Sequence, residues 1–226
     1  MTLWLKEYEF EYKKPVKVPS KMDPQKQAAF IKEYEKLKSH LGENEEVYFL
    51  DATHPEFQSQ ATYGWIKKGE TKTLGTTNKQ NRLHFIGAIN LEKMAVMASE
   101  YKTVNAENVI DFLEKLQSNS SASKIHLICD NGRANKNKDI KKYIGTSKIE
   151  IHYLPPYSPN LNPIERLWKL MREAKVYNRC YENFAEFTEA IREFFWEEIP
   201  KKTDMLKQRI NDKFQQIELN PIQLAR

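Results

Sequence analysis

Sixteen residues constrain this 226-residue chain more than any others: the stretch Tyr153–Trp168, YLPPYSPNLNPIERLW. It leaves a short β-type run, Ile149–Tyr153. Prolines at positions 155, 156, 159 and 163 rule out regular structure across its middle. It ends in Asn-Pro-x-x-Glu. Asn162 is a good helix N-cap and Pro163 a good first helical residue. Glu165 then falls in the first turn, at the third helical position. Ile164, Leu167, Trp168 and Met171 repeat at helical spacing behind it. A stiff loop therefore fixes where a helix starts, and the helix start fixes where one carboxylate points.

Taken alone, Glu165 reads as a capping residue bonding back to the Asn162 N–H. An i,i+4 pair with Lys169 is equally ordinary and contributes only about 0.2–0.5 kcal/mol. Neither explains a loop with so many prolines, aromatics and asparagines aimed at a single turn. The sharper reading is a metal-ligating carboxylate, whose ionised form the helix N-terminus favours.

The rest of the chain reads as one α/β domain with appendages. Residues 1–22 form an N-terminal arm or linker, 23–179 the main domain and 180–226 a C-terminal helical extension. Pro24–Leu41 is predicted helical, with Asp23 as N-cap. Glu46–Asp51 is a strand running into an acid. Thr62–Lys67, around Tyr63-Gly64-Trp65-Ile66, is a second, turned by Lys68-Gly69. Leu83–Leu91 and Met94–Ser99 follow as further strands. Then come a helix (Val104–Leu116), a strand (Lys124–Asp130), a short basic helix (Lys138–Ile144) and a last strand (Ile149–Tyr153). Helices at about 161–178, 183–198 and 201–216 complete the chain. This is a mixed α/β sheet flanked by helices, in the element order of the ribonuclease H-like fold.

Composition narrows the class. Two cysteines, Cys129 and Cys180, give neither a disulfide framework nor zinc spacing. The charged start Met1–Lys14 is no signal peptide, and no apolar run is long enough to span a bilayer, so a cytoplasmic protein without a membrane partner is expected. A net charge of +5 permits a polyanionic partner without demanding one.

Asp51 and Asp130 end two strands that are neighbours in such a sheet, and Glu165 opens the helix beyond. Each aspartate alone is an ordinary strand-end turn residue. Together the three form a hard oxygen site suited to Mg²⁺ or Mn²⁺. Two ions about 3.5–4 Å apart would activate the attacking oxygen and stabilise the leaving one in phosphodiester chemistry.

The blocks FLDATHPEFQSQATYGWIKKG, ICDNGRANKNKD and YLPPYSPNLNPIERLW, with 34 residues between Asp130 and Glu165, resemble the DDE transposases of the mariner superfamily, most of all the bacterial insertion-sequence branch. The likeness covers about residues 10–195. It implies a ribonuclease H-like catalytic domain, a divalent-metal triad of Asp51, Asp130 and Glu165, cut-and-paste DNA transposition, and a TA target dinucleotide. It implies DNA partners, both transposon ends and target, and a homodimer when active.

The chain departs from the family in three places. Asn135 stands where a histidine is frequent, and is expected to bond a phosphate. Gly132 is expected to loosen the turn after Asp130. Residues 3–15 look like the tail of the family's helix-turn-helix region, whose remainder would be encoded separately or be lost to truncation or a misplaced start. Lys68, Arg133, Asn135, Lys136, Arg166, Lys169 and Arg172 cluster around the acids in sequence and are the expected DNA contacts. His54 is either a site neighbour or a turn residue, while Trp65 and Trp168 read as core. The rival readings are another ribonuclease H-like nuclease and a catalytically inert DNA-binding remnant.

Overall fold

A computed structural model of the chain describes residues 7–11, 21–76, 81–132 and 135–214. Its centre is a five-stranded sheet: β1 (Glu45–Thr53), β2 (His84–Asn90), β3 (Ala95–Tyr101), β4 (Lys124–Cys129) and β5 (Ile149–Tyr153), in the order β3-β2-β1-β4-β5. β1, β2 and β3 pair antiparallel, and β4 and β5 add in parallel beside β1. This is the ribonuclease H-like arrangement expected from the element order. The parallel register pairs Leu50 with Cys129. Asp51 and Asp130, one step further along, therefore sit side by side at one edge of the sheet.

Strand periodicity sorts the side chains into two layers. Val47, Phe49, Phe85, Ile89 and Ile128 face one side. There they meet α1 (Pro24–Ser39), α4 (Ile164–Lys175), α5 (Phe184–Glu193) and α6 (Thr203–Arg209). Tyr48, Leu50, Ile86, Ile125, Leu127 and Cys129 face the other, under α2 (Ala106–Asn119) and α3 (Lys138–Ile144). Asp23 caps α1 as expected, accepting from the Gln25 and Lys26 N–H groups. Asn162 does not cap α4: its side chain turns to the sheet and donates to the Leu50 carbonyl at 3.4 Å.

Thr62–Lys67 forms no strand, contrary to its alternating pattern. β1 pairs directly with β2, so the segment that connects them is left outside that pairing. The Asn178 side chain and backbone hold its base, through the Thr62 N–H and the Gln60 carbonyl. Beyond that base, residues 61–70 are exposed. Trp65, expected in the core, is fully exposed, with Tyr63 beside it in sequence equally so. The turn at Lys68-Gly69 is present: Glu70 N–H bonds the Lys67 carbonyl, and Gly69 has φ +89°, open only to glycine without strain.

The C-terminal segment lies on the sheet. After α5 the backbone widens into a π-turn, Phe194–Glu198, and the Phe195 ring lies tilted at 5.0 Å from Phe85 and edge-on at 5.7 Å from Trp168. Ile191, Ile199, Leu206 and Ile210 are buried in the same cluster. Phe195→Ala should therefore destabilise the fold by about 3–5 kcal/mol, as for other buried phenylalanines. Urea unfolding followed by far-UV circular dichroism measures it. A loss under about 1 kcal/mol would mean that the segment only rests on the sheet.

Candidate active site

Asp51, Asp130 and Glu165 line one cleft of about 490 Å³, together with Asn131, Gly132, Lys136, Asn162 and the loop Leu154–Pro159. Each acid arrives from a different element, and the two aspartates are aimed by hydrogen-bond donors. Asp51, near the end of β1, accepts a hydrogen bond from the Trp168 indole N–H at 3.0 Å. Trp168 lies under β2 because residue 87 is glycine: a Cβ there would sit 2.5 Å from the indole. Asp130 follows β4, and its Oδ1 accepts from the Gly132 N–H at 3.0 Å and from the Asn135 Nδ2 at 2.7 Å. Gly132 does not loosen that turn. A Cβ at this position would stand 2.9 Å from the carboxylate, so glycine is what lets the turn close. Asn135 holds Asp130, and its own carbonyl accepts from the Tyr153 hydroxyl at 3.0 Å.

Glu165 opens α4, where the rigid loop delivers it. The loop is pinned from below by Gln27 of α1, a fully buried amide. Gln27 donates to the Ser158 hydroxyl at 3.0 Å and exchanges bonds with the Asn160 side chain at 3.3 and 3.1 Å. Tyr157, between them and the prolines, holds φ at +59°, a left-handed conformation that a side chain strains. Sequence reasoning missed Gln27, although its position carried a signal. Residues 27, 30, 31 and 34 share one helix face, so this glutamine sits on an otherwise apolar stripe. The Asn162 Oδ1 is buried at the cleft without a hydrogen-bond partner.

The acids repel one another. Burial first, and then the charge of Glu165, push the Asp51 carboxyl up to about 7, with Asp130 adding to the rise. The Trp168 and Ala52 N–H groups act the other way. Glu165 is raised by burial, opposed by Arg172 and reinforced by Asp130. The helix N-terminus was expected to favour its ionised form; burial and the neighbouring charge prevail. The three acids share the cleft without closing into a tight set. Among the described residues, ligand atoms of three such groups lie within 4.8 Å of one another at His126, Glu150 and His152.

The expected DNA contacts divide. Lys136 lines the cleft, its ammonium 5.4 Å above the Tyr153 ring. Arg172 acts on Glu165 electrostatically. Arg166 is turned away, donating to the Asn211 carbonyl at 2.6 Å and to its side chain at 3.0 Å. Lys169 is exposed and faces Glu173 at 3.9 Å, not Glu165. Lys68 sits in the exposed turn and Asn135 on Asp130. Arg133 lies outside the described residues. His54 is not at the cleft; its Nδ1 meets that of His84 at 2.8 Å.

Comparison with known proteins bears on this geometry. The family described as DDE superfamily endonuclease matches residues 46–188. A winged helix-turn helix family matches residues 1–34, well past the expected tail and into α1. The chain is 22% identical over 150 residues to the insertion element IS630 uncharacterized 39 kDa protein of Shigella sonnei. That match covers 66% of this chain and 44% of the relative, so the chain spans less than half of that protein's length. Among solved structures, the Mos1 transposase paired-end complex with left transposon end aligns over 95% of this chain and 70% of its own, at 16% identity and a TM-score of 0.66. The mariner Mos1 paired end complex with Mg aligns over 95% and 70%, at 15% identity and a TM-score of 0.62. At these identities the structural likeness is one of fold. Among the described residues, no helix is long and apolar enough to cross a membrane.

The raised Asp51 gives a signed pH dependence. Between its ordinary 3.8 and about 7 the folded chain keeps a proton that the unfolded chain has released. Stability in the absence of metal should therefore fall as pH rises through that window and level off above it. Asp51→Asn removes the charge and keeps an acceptor for Trp168. Thermal melts in chelator at pH 5 and pH 8 should show the variant more stable than the parent at pH 8, with a clearly smaller difference at pH 5.

Proposed function

We propose that this chain, which belongs to the DDE superfamily endonuclease family, is the catalytic part of a mariner-type transposase. It would cut DNA at the ends of an insertion element and join the freed 3′-hydroxyl to target DNA. The observation that carries this reading is the convergence of Asp51, Asp130 and Glu165 on one cleft from two strand ends and a helix start. A lone nuclease site would need no more, but the chain's likeness to an insertion-element protein favours the transposase.

The cleft fits divalent Mg²⁺ or Mn²⁺. Its donors are carboxylates and an unpartnered amide oxygen, with no imidazole or thiol among the lining residues. Two of the acids are held above their ordinary pKa by burial and mutual charge, a strain that cations relieve. The mariner relative solved with Mg points the same way. Asp51, Asp130 and Glu165 would hold the metal, with two ions expected, and the metal supplies Lewis acidity to the attacking and leaving oxygens.

The chain's own groups do the rest. Trp168 fixes Asp51, while the Gly132 N–H and Asn135 fix Asp130, so both acids are oriented before DNA arrives. Lys136 on the cleft wall and Arg172 beside Glu165 place positive charge where a phosphodiester would lie. Lys68 and Lys169, both exposed, would extend that charge along the duplex. Arg166 is left out, because Asn211 holds its Nη1 and turns the side chain away from the cleft. Readout of the element ends belongs to a helix-turn-helix part, in the same polypeptide or supplied as a separate half. Two ends cut together call for a homodimer, and a cytoplasmic setting accords with access to DNA.

Incubation of the chain, with the helix-turn-helix part supplied, with Mg²⁺ and a plasmid carrying terminal repeats tests the reading. Cleavage at the ends followed by strand transfer is expected. Glu165→Gln should reduce both to background with an unchanged circular dichroism spectrum. Hydrolysis without joining, under all conditions, would favour the plain nuclease. DNA binding without any cleavage would favour the inert remnant.

A further inference from the structure

Beside the acid cleft, on the outer pair of strands, β4 and β5 carry a second constellation. Their parallel register sets His126 beside Glu150 and Ile128 beside His152. Alternation places Ile125, Leu127, Ile149 and Ile151 on the α2 face, so His126, Glu150 and His152 share the opposite one. His126 precedes Asp130 by four residues, which at about 3.3 Å per residue puts it roughly 13 Å from the acid cleft.

We propose that His126, Glu150 and His152 form a binding site for a divalent transition metal of the Zn²⁺ class, separate from the acid cleft. The His126 Nδ1 and His152 Nε2 are 3.0 Å apart. The Glu150 carboxylate stands 3.8 Å from the first and 3.9 Å from the second. Ligands about 2.0–2.2 Å from a tetrahedral ion lie roughly 3.4 Å from each other, so these spacings bracket what Zn²⁺ needs. Two imidazoles and one carboxylate disfavour Mg²⁺ and suit Zn²⁺.

The surroundings support a metal over a simple hydrogen-bonded pair. The remote nitrogen of His126, Nε2, lies 3.2 Å from the Glu45 carboxylate. An ionised carboxylate only accepts, so it places the proton on Nε2 and leaves the Nδ1 lone pair facing His152 and Glu150. A ligating histidine whose far N–H is held by a carboxylate is the usual supporting arrangement of metal sites. His126 is buried, so this orientation is fixed before any ion arrives. Burial lowers the His152 pKa, with Glu150 and, from α1, Glu33 opposing it, which favours the neutral imidazole that metal binding requires. On binding, His152 shifts its proton from Nε2 to Nδ1. Lys124 bonds the Glu150 Oε2, the oxygen 3.8 Å from the His126 Nδ1, at 2.5 Å, and leaves Oε1, 3.9 Å from the His152 Nε2, for the ion. The Glu150 and His152 side chains are 49% and 30% exposed, which gives the ion an entry path and water a fourth position.

Such a metal would fasten the edge strand β5 to β4. β5 runs directly into the proline loop that delivers Glu165, so the site would brace the loop without taking part in cleavage.

The test uses the full chain carrying Asp51→Asn, which weakens competing binding in the acid cleft. Zn²⁺ is titrated in competition with a chromophoric chelator, and Co²⁺ is followed by its visible absorption. One Zn²⁺ per chain and a tetrahedral Co²⁺ spectrum are expected. His152→Ala should abolish both, and Glu150→Gln, at an exposed position that does not threaten folding, should weaken binding at least tenfold. Glu45→Gln should weaken it about 10- to 100-fold, as loss of a supporting carboxylate does elsewhere. Absence of Zn²⁺ binding would overturn the proposal. So would binding that survives both His152→Ala and Glu150→Gln, or that disappears only when Glu165→Gln is added.

Discussion

The hydrogen bond from the Trp168 indole to Asp51 joins the two halves of the active site, and much of the surrounding structure exists to permit it. The indole is buried against the sheet, in a space that Gly87 keeps open and Phe195 closes from the side. Glu165, Trp168 and Arg172 follow each other at i, i+3 and i+7, so one face of α4 carries all three. That face presents a carboxylate to the cleft, an indole to the strand aspartate and a guanidinium to the carboxylate itself. Placing α4 correctly therefore sets several polar relations at once. A shift of α4 along the sheet would disturb them together.

Placement depends on the loop before the helix, and there a single buried amide matters more than the prolines. Prolines restrict what the loop can do, but they do not say where it sits. Gln27 does, by exchanging hydrogen bonds with Ser158 and Asn160 from the buried face of α1. A buried amide without partners is costly, so the loop and α1 hold one another in register. α1 is fixed in turn by Tyr34, whose ring packs on Phe49 and whose hydroxyl donates to Asp212. The C-terminal segment thus reaches the cleft indirectly, through α1, as well as directly, through Phe195 under Trp168.

Much of the sheet was legible because its strands are apolar runs bounded by turns, and because acids at strand ends stand out. The helix start at Glu165 was legible from the proline pattern. Other features were not, for physical reasons. Tyr63, Trp65 and Ile66 alternate like a strand, but periodicity says nothing about whether a sheet has room for another neighbour. Asn162 has the chemistry of an N-cap, yet a nearby strand carbonyl competes for its amide. Asn135 looked like a phosphate ligand, because sequence spacing cannot show that Asp130 lies within 2.7 Å of it. Arg166 belongs by sequence to a basic helix face, and only the return of the chain to Asn211 removes it from the DNA surface.

The charge distribution explains why the cleft favours a cation over a bare phosphate. A helix N-terminus stabilises a carboxylate by about 0.3–1 kcal/mol, and that benefit falls off within a turn. At Glu165 it is outweighed: burial and Asp130 drive the carboxyl upward against both the helix and Arg172. Asp51 is raised as well, to about 7, despite two N–H donors. The arrangement of side chains makes Asp51 and Glu165 poor anions on their own, and nearby positive charge can restore their ionised form. Among the described residues, Lys136 and Arg172 lie at the margins, too few to neutralise three carboxylates and a phosphodiester together. The fold has therefore placed its oxygen donors where they are least stable alone, and the deficit of positive charge there is of the size that divalent ions make good.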